Sequence, residues 1–214
     1  SNVGLLRTMF QTGVRMVSTT WNRRTMLADG VGERDTGGRL TSLGGEAVQE
    51  MTRLGIVLDV SHLSENGFWH VESVTTGPII ASHSSCRALQ DHPRNLTDDQ
   101  IRAIAKHGGF VALNAFAPFL ADQATSADLV RHIQHAIGIL GADRVGLGLD
   151  FMADLMPIVD PILGGALIDI TSIPLLDDVQ RPSDLAALGQ MLVAAIGEDE
   201  AAWVGSGTLR RRLT

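Results

Sequence analysis

Ile56-Val57-Leu58-Asp59-Val60-Ser61-His62, Pro78-Ile79-Ile80-Ala81-Ser82-His83 and Val145-Gly146-Leu147-Gly148-Leu149-Asp150 follow one plan. In each, a strand-sized aliphatic run ends in a side chain that binds metals or moves protons. Short apolar runs bounded by Gly or Pro are the mark of strands buried on both faces. Parallel strands separated by helices all present their C-terminal ends on one side. His62, His83 and Asp150 are therefore expected to meet there. One such histidine alone reads as a strand cap bonded to a loop carbonyl. Two histidines and an aspartate at equivalent ends read as a site, because imidazole and carboxylate in a polar mouth suit Zn²⁺ or a similar ion.

Outward from these three runs the chain alternates between strand and helix patterns, which indicates an α/β fold with a parallel sheet. Val3 to Thr12 reads as an amphipathic helix stopped by Gly13, and Val14–Ser18 as a strand. A loop rich in Gly and Arg runs from Thr19 to Thr41. Ser42 is placed to cap a helix through Leu54, with Gly55 as its stop. A helix is expected from Ser64 to Thr75, another from the Thr97 cap to Gly108-Gly109, then a strand Phe110–Asn114 and a helix Ser126–Leu140. The rhythm fails between Phe151 and Gln180. Helices are expected again over Ser183–Ile196 and near Trp203–Leu213. Five strands fall short of the eight that close a barrel. The count alone also allows an open doubly wound sheet, but the polar strand ends favour part of a barrel.

With 214 residues, 44% of them hydrophobic and 19% charged, the chain (1–214) is expected to fold as one domain. A net charge of −7 and the lack of a basic stripe interleaved with aromatics argue against a nucleic-acid partner. Arg210-Arg211-Arg212 reads as a solvated helix end. No apolar run has the length of a membrane span or the layout of a signal peptide. Cys86 is the single cysteine, so no internal disulfide forms, which suits a reducing, cytoplasmic setting. The chain opens on Ser1-Asn2-Val3 without Met, and upstream sequence is expected.

The remaining chemistry-bearing residues carry weaker signals. His132 and His135 are spaced to share a metal on one helix, yet packing or solvated positions are the better reading. His70 and His107 read as structural. His92 sits in the loop after His83, within reach of substrate or simply on the surface. Arg94-Asn95 lies in the same loop: an Arg fixed near a metal clamps a carboxylate bidentately, whereas a surface salt bridge is the alternative, and the sequence leaves both open. Cys86 has no base placed to activate it and reads as a small buried side chain.

Leu54 to His62, Pro78 to Ser85 and His92-Pro93-Arg94-Asn95, continued through Ile101–Asn114 and His132–Phe151, together resemble the membrane dipeptidase family of zinc peptidases. The likeness runs from about Val3 to Leu213 and is weakest between Met152 and Gln180. It implies a (β/α)₈ TIM barrel of the metal-dependent hydrolase type, of which this chain holds strands four to eight with their helices. It also implies dipeptide substrates, often with a D-residue at the C-terminal position, and two zinc ions bridged by a carboxylate and a hydroxide that attacks the peptide carbonyl. By the same resemblance His62 and His83 ligate one zinc, and Asp150 holds the bridging water and moves its proton. Arg94, with Asn95 beside it, binds the terminal carboxylate.

Three departures bear on these expectations. The family's His-x-Asp pair and bridging Glu belong to strands before Val14–Ser18, so this chain is expected to hold at most one zinc. Trp21 stands where the family often has a substrate-contacting His, which points to altered specificity. Asp150-Phe151-Met152-Ala153 replaces the usual Asp-Phe-Asp-Gly. Two rival readings stand beside the dipeptidase: an inactive relative serving as a binding or assembly partner, and an amidohydrolase-type barrel acting on a cyclic amide or lactone. A five-strand arc is also expected to expose its inner Val, Ile and Leu side chains, and so to form homo-oligomers or pair with an N-terminal segment.

Overall fold

The alternating pattern folds into a curved parallel sheet flanked by helices in the computed structural model, which describes residues 3–151 and 176–213. Helix α1 (Gly4–Gln11) leads into β1 (Met16–Ser18), and α2 (Ser42–Leu54) into β2 (Val57–Asp59). Then follow α3 (Glu65–Val74), β3 (Ile79–Ile80), α4 (Asp98–Lys106), β4 (Val111–Leu113), α5 (Ser126–Leu140) and β5 (Val145–Leu147). Most of the irregular stretch after Phe151 lies outside the described residues. After it come α6 (Leu185–Ile196), α7 (Glu198–Ala202), a π-helical turn Trp203–Gly207 and α8 (Thr208–Leu213).

The strands pair in chain order. Met16 lies opposite Val57, Leu58 opposite Ile79, and Val111 opposite Val145, all parallel. An isolated parallel bridge, Ala81 to Val111, joins β3 to β4, and the Ala112 N–H donates to the Ala81 carbonyl at 2.8 Å. A doubly wound sheet reverses its strand order at a switch point. This one does not reverse, which is the singly wound order of a barrel wall. The helix-facing residues Leu58, Ile79, Ala81, Val111, Leu113 and Val145 are buried against Met51, Val71, Ile101, Ile104, Leu129 and Ile133. Each such Leu, Ile or Val side chain contributes about 1.5–3 kcal/mol when fully buried.

The helix boundaries follow their caps. Thr97 and Gln100 form a reciprocal capping box at α4, with the Gln100 N–H donating to Thr97 Oγ1 at 3.2 Å and the Thr97 N–H donating to Gln100 Oε1 at 2.9 Å. At α2 the cap is Thr41 rather than Ser42: Thr41 Oγ1 accepts the Gly44 N–H at 3.0 Å and donates to the Met26 carbonyl at 2.7 Å. Two adjacent capping residues look alike in sequence, and the second contact, to a loop fifteen positions upstream, selects Thr41. The loop before α2 holds a 3₁₀ helix, Val31–Thr36, that the sequence pattern did not show. The helix expected from Ser183 starts as a 3₁₀ turn, Pro182–Asp184.

The inner face of the arc departs from expectation. Ile80, Phe110 and Ala112 point to that face and are buried, 2%, 1% and 2% exposed, and Leu209 of α8 packs on them. The C-terminal helix supplies apolar cover that strand counting leaves out. Met16 on β1 stays partly exposed at 38%. Among the described residues, no further strand pairs with the outer edge of β1 or β5, and no helix is long and apolar enough to cross a membrane.

Candidate metal centre

Because β1 to β5 are parallel and adjacent, their C-terminal ends open on one side, and the loops that leave them carry the polar residues. His62 follows β2, His83 follows β3 and Asp150 follows β5. His62 and Asp150 are the two described residues other than glycine with positive φ, at 71° and 57°. Left-handed backbone at such a residue costs about 1–2 kcal/mol and persists where the surroundings hold it. For His62 the hold is visible: its carbonyl accepts the Val31 N–H at 2.9 Å, and Ser64 N–H donates to the Asp29 carbonyl at 3.0 Å.

His62 and His83 meet with their Nε2 atoms 2.7 Å apart. Each outer nitrogen is held from behind. His62 Nδ1 lies 2.7 Å from Asn22 Oδ1, which accepts, and His83 Nδ1 lies 2.7 Å from Ser82 Oγ. Ser82 Oγ in turn donates to Asp59 Oδ2 at 2.5 Å. With the proton of each ring on Nδ1, both Nε2 lone pairs would face the same point. Burial, with Arg94 and His83 adding to it, lowers the His62 pKa to about 2, and burial and Arg94 also lower that of His83. Both rings are therefore held in the neutral form that binds metals.

Arg94 comes from the loop after His83 and is 6% exposed. Its guanidinium donates to the His83 carbonyl at 3.1 Å and lies over the Phe119 ring at 5.4 Å. Its Nε has no hydrogen-bond partner, and no carboxylate pairs with it among the described residues. Burial lowers its pKa to about 10, with Asp150 and Asp59 acting in the opposite direction. A surface salt bridge is therefore not what this Arg makes. Asn95 is buried, and its amide donates to the carbonyls of Gln90 at 2.9 Å and Phe119 at 2.7 Å. It fastens the loop that carries Arg94. Trp21, 36% exposed, sits with its ring 5.6 Å from that of His62.

The other candidates disperse. His132 is buried; its Nδ1 accepts the Cys86 N–H at 3.0 Å, and its Nε2 faces the Leu120 carbonyl. His135 pairs with Asp98 at 2.9 Å, so the two share no metal. His92 Nδ1 accepts the Arg94 N–H at 3.1 Å and shapes the clamp's loop. Burial pushes the Cys86 thiol up to about 12, which suits an inert side chain.

Asp59, Ser82 and Asn22 were not singled out in the sequence. A lone carboxylate inside the run Ile56–Val60 was the available signal for Asp59. Gly148 is a further positioning feature: a Cβ there would stand 1.9 Å from the Ser82 carbonyl oxygen. Gly148→Ala is expected to destabilise the protein by about 1–3 kcal/mol or more, since the clash is with backbone. Thermal unfolding with an unchanged Tm would show that the β3 and β5 ends can part freely.

The sequence pattern of the membrane dipeptidases (peptidase family M19) matches residues 1–160. The chain belongs to the membrane dipeptidase family. An uncharacterised protein of Klebsiella pneumoniae, from the pqqA 5′ region, is 36% identical over 83% of this chain and 67% of its own length. An uncharacterised dipeptidase of Schizosaccharomyces pombe is 36% identical over 71% of this chain and 38% of its own. A metallopeptidase of Rhodobacter sphaeroides, solved with a phosphinate mimic of the dipeptide L-Ala-D-Ala, superposes with a TM-score of 0.81 at 29% identity. That likeness covers 98% of this chain and 57% of the other, so the chain spans little more than half of that relative.

Membrane dipeptidases are metallopeptidases, and the donor set seen here fits a divalent ion. Two neutral imidazoles with their outer nitrogens tied down and their inner lone pairs converging are half of a tetrahedral zinc shell. Among the described residues, no third His, Cys, Asp or Glu joins the pair as a ligand cluster.

Proposed function

We propose that the protein acts as a zinc-dependent dipeptidase, with the described residues holding at most one zinc through His62 and His83. The observation that carries this reading is the facing pair of Nε2 atoms, 2.7 Å apart, beside the buried Arg94, which has no carboxylate partner among the described residues. The singly wound strand order supports a (β/α)₈ barrel in which residues 1–214 form part of a single domain. Zinc in such a site supplies Lewis acidity and makes bound water acidic enough to attack near neutral pH.

The chain's own residues then divide the work. His62 and His83 hold the metal, each steadied by its outer nitrogen. Asp150, solvent-accessible at the end of β5, moves the proton of the attacking water. Arg94 pairs with the free carboxylate of a dipeptide, and its pre-desolvated guanidinium makes that pairing strong. Asn95 keeps the Arg94 loop in place, and Trp21 forms a wall beside His62 that shapes substrate choice.

A panel of zinc-loaded assays tests the proposal, setting L,L- and L,D-dipeptides against lactones and cyclic amides. Hydrolysis of dipeptides that stops on chelation is the expected result. Turnover confined to lactones or cyclic amides would favour the amidohydrolase-type reading. Tight binding of a phosphinate dipeptide mimic without turnover would favour an inactive binding relative.

A further inference from the structure

We propose that Asp59 and Ser82 are positioning residues that fix the tautomer of His83, and so decide which ring nitrogen it offers as a ligand. The inference rests on reading His62 and His83 as metal ligands. It goes beyond that reading by naming the device that sets the polarity of one of them.

The argument is a count of protons. A carboxylate only accepts, so Ser82 donates its single hydroxyl proton to Asp59 Oδ2 at 2.5 Å, a far shorter contact than the 3.5 Å to Ser61 Oγ. The hydroxyl oxygen is then free to accept, and the partner 2.7 Å away is His83 Nδ1, which must carry hydrogen. With the proton on Nδ1, Nε2 keeps its lone pair and points it at His62. Among the described residues, every other hydrogen-bond partner of Asp59 also donates to it. Its Oδ1 accepts the Ser61 N–H at 3.0 Å and the Ser82 N–H at 3.1 Å. Ser18 Oγ donates to Oδ2 at 3.2 Å. Four donors on a buried carboxylate leave it no second orientation.

The topology makes the relay possible. Asp59 ends β2 and points to the inner face, where parallel pairing sets it opposite Ile80, two residues before Ser82. A carboxylate behind a metal-binding imidazole is a common way to orient the ring. Here a serine hydroxyl is interposed, and the same carboxylate also ties down the backbone between β2 and β3.

Asp59→Asn reverses the relay while keeping its shape. The Ser61 and Ser82 N–H groups retain the amide oxygen, so the amide nitrogen faces Ser82 Oγ. The serine then donates to His83 Nδ1, and the ring's proton moves to Nε2, where the ligand lone pair was. Long-range ¹H–¹⁵N spectra of the metal-free protein should show His83 as the Nδ1–H tautomer in the wild type and as Nε2–H in Asp59→Asn. Zinc affinity by chelator competition should fall about 10- to 100-fold in Asp59→Asn and in Ser82→Ala, with Ser82→Thr restoring most of it.

An unchanged His83 tautomer in Asp59→Asn overturns the proposal, as does a Ser82→Ala protein that keeps wild-type zinc affinity. If Asp59→Asn fails to fold, the Ser82→Ala and Ser82→Thr pair decides. If the wild type binds no zinc, the ligand reading fails instead, and the tautomer spectra still judge the relay alone.

Discussion

His83→Ala is expected to lower zinc affinity by roughly 10²- to 10³-fold, and the dipeptidase activity with it. A four-ligand zinc site is worth about 10–16 kcal/mol, so one imidazole's share is roughly 2.5–4 kcal/mol. The loss should fall on binding rather than on the fold. In the metal-free protein the ring contacts only the side chains of His62 and Ser82 among its hydrogen-bond partners, and the loops that carry them are held by backbone bonds of their own. His135→Ala is the matched control, since its ring pairs with Asp98 and takes no part in the centre. Calorimetric zinc titration of both variants decides the matter. Equal affinities for His83→Ala, His135→Ala and the wild type would remove His83 from the site.

Arg94→Met should separate function from stability. The guanidinium is buried, its Nε lacks a partner, and no carboxylate pairs with it among the described residues. Replacing a buried, poorly compensated charge with an apolar side chain of similar length is neutral or stabilising, by about 1–4 kcal/mol in comparable cases. Met also keeps the contact with the Phe119 ring. Substrate binding should move the other way. Truncating one partner of a desolvated charge pair costs about 2–5 kcal/mol, which corresponds to roughly 30-fold to several thousand-fold in affinity for a free dipeptide. Dipeptide amides, which lack the carboxylate, should lose far less. An equal loss for acids and amides would show that Arg94 does not read the carboxylate, and a fall in Tm of more than a few degrees would show that its present contacts outweigh its burial.

These expectations draw on different levels of the molecule. The strand–helix alternation, the Thr97 cap, and the placement of His62, His83 and Asp150 at strand ends were legible in the sequence. They depend on local periodicity, on turn chemistry and on the rule that parallel strands end on one side. A run such as Ile56–Val60 announces a doubly buried strand whatever surrounds it. The sequence pattern places the α2 cap at Ser42, and Thr41 takes it because the deciding contact is made to Met26, outside the helix.

The character of the site was set by tertiary structure. Arg94 read equally well as a clamp or a surface ion pair until its burial, and the lack of a carboxylate partner among the described residues, separated the two. His132 and His135 stand at a spacing that allows a shared metal, but read better as packing or solvated residues, and the Cys86 N–H and Asp98 take them in different directions. Asp59 and Ser82 gave almost no local signal, because a proton chain has meaning only when its members are brought within 3 Å of one another. The burial of Ile80 and Phe110 beneath Leu209 came from a helix nearly a hundred residues beyond Phe110. Sequence fixes what each segment tends to form, through forces that act within a few residues. Which polar groups lose water, and which partner each then finds, is decided by the packing of distant segments.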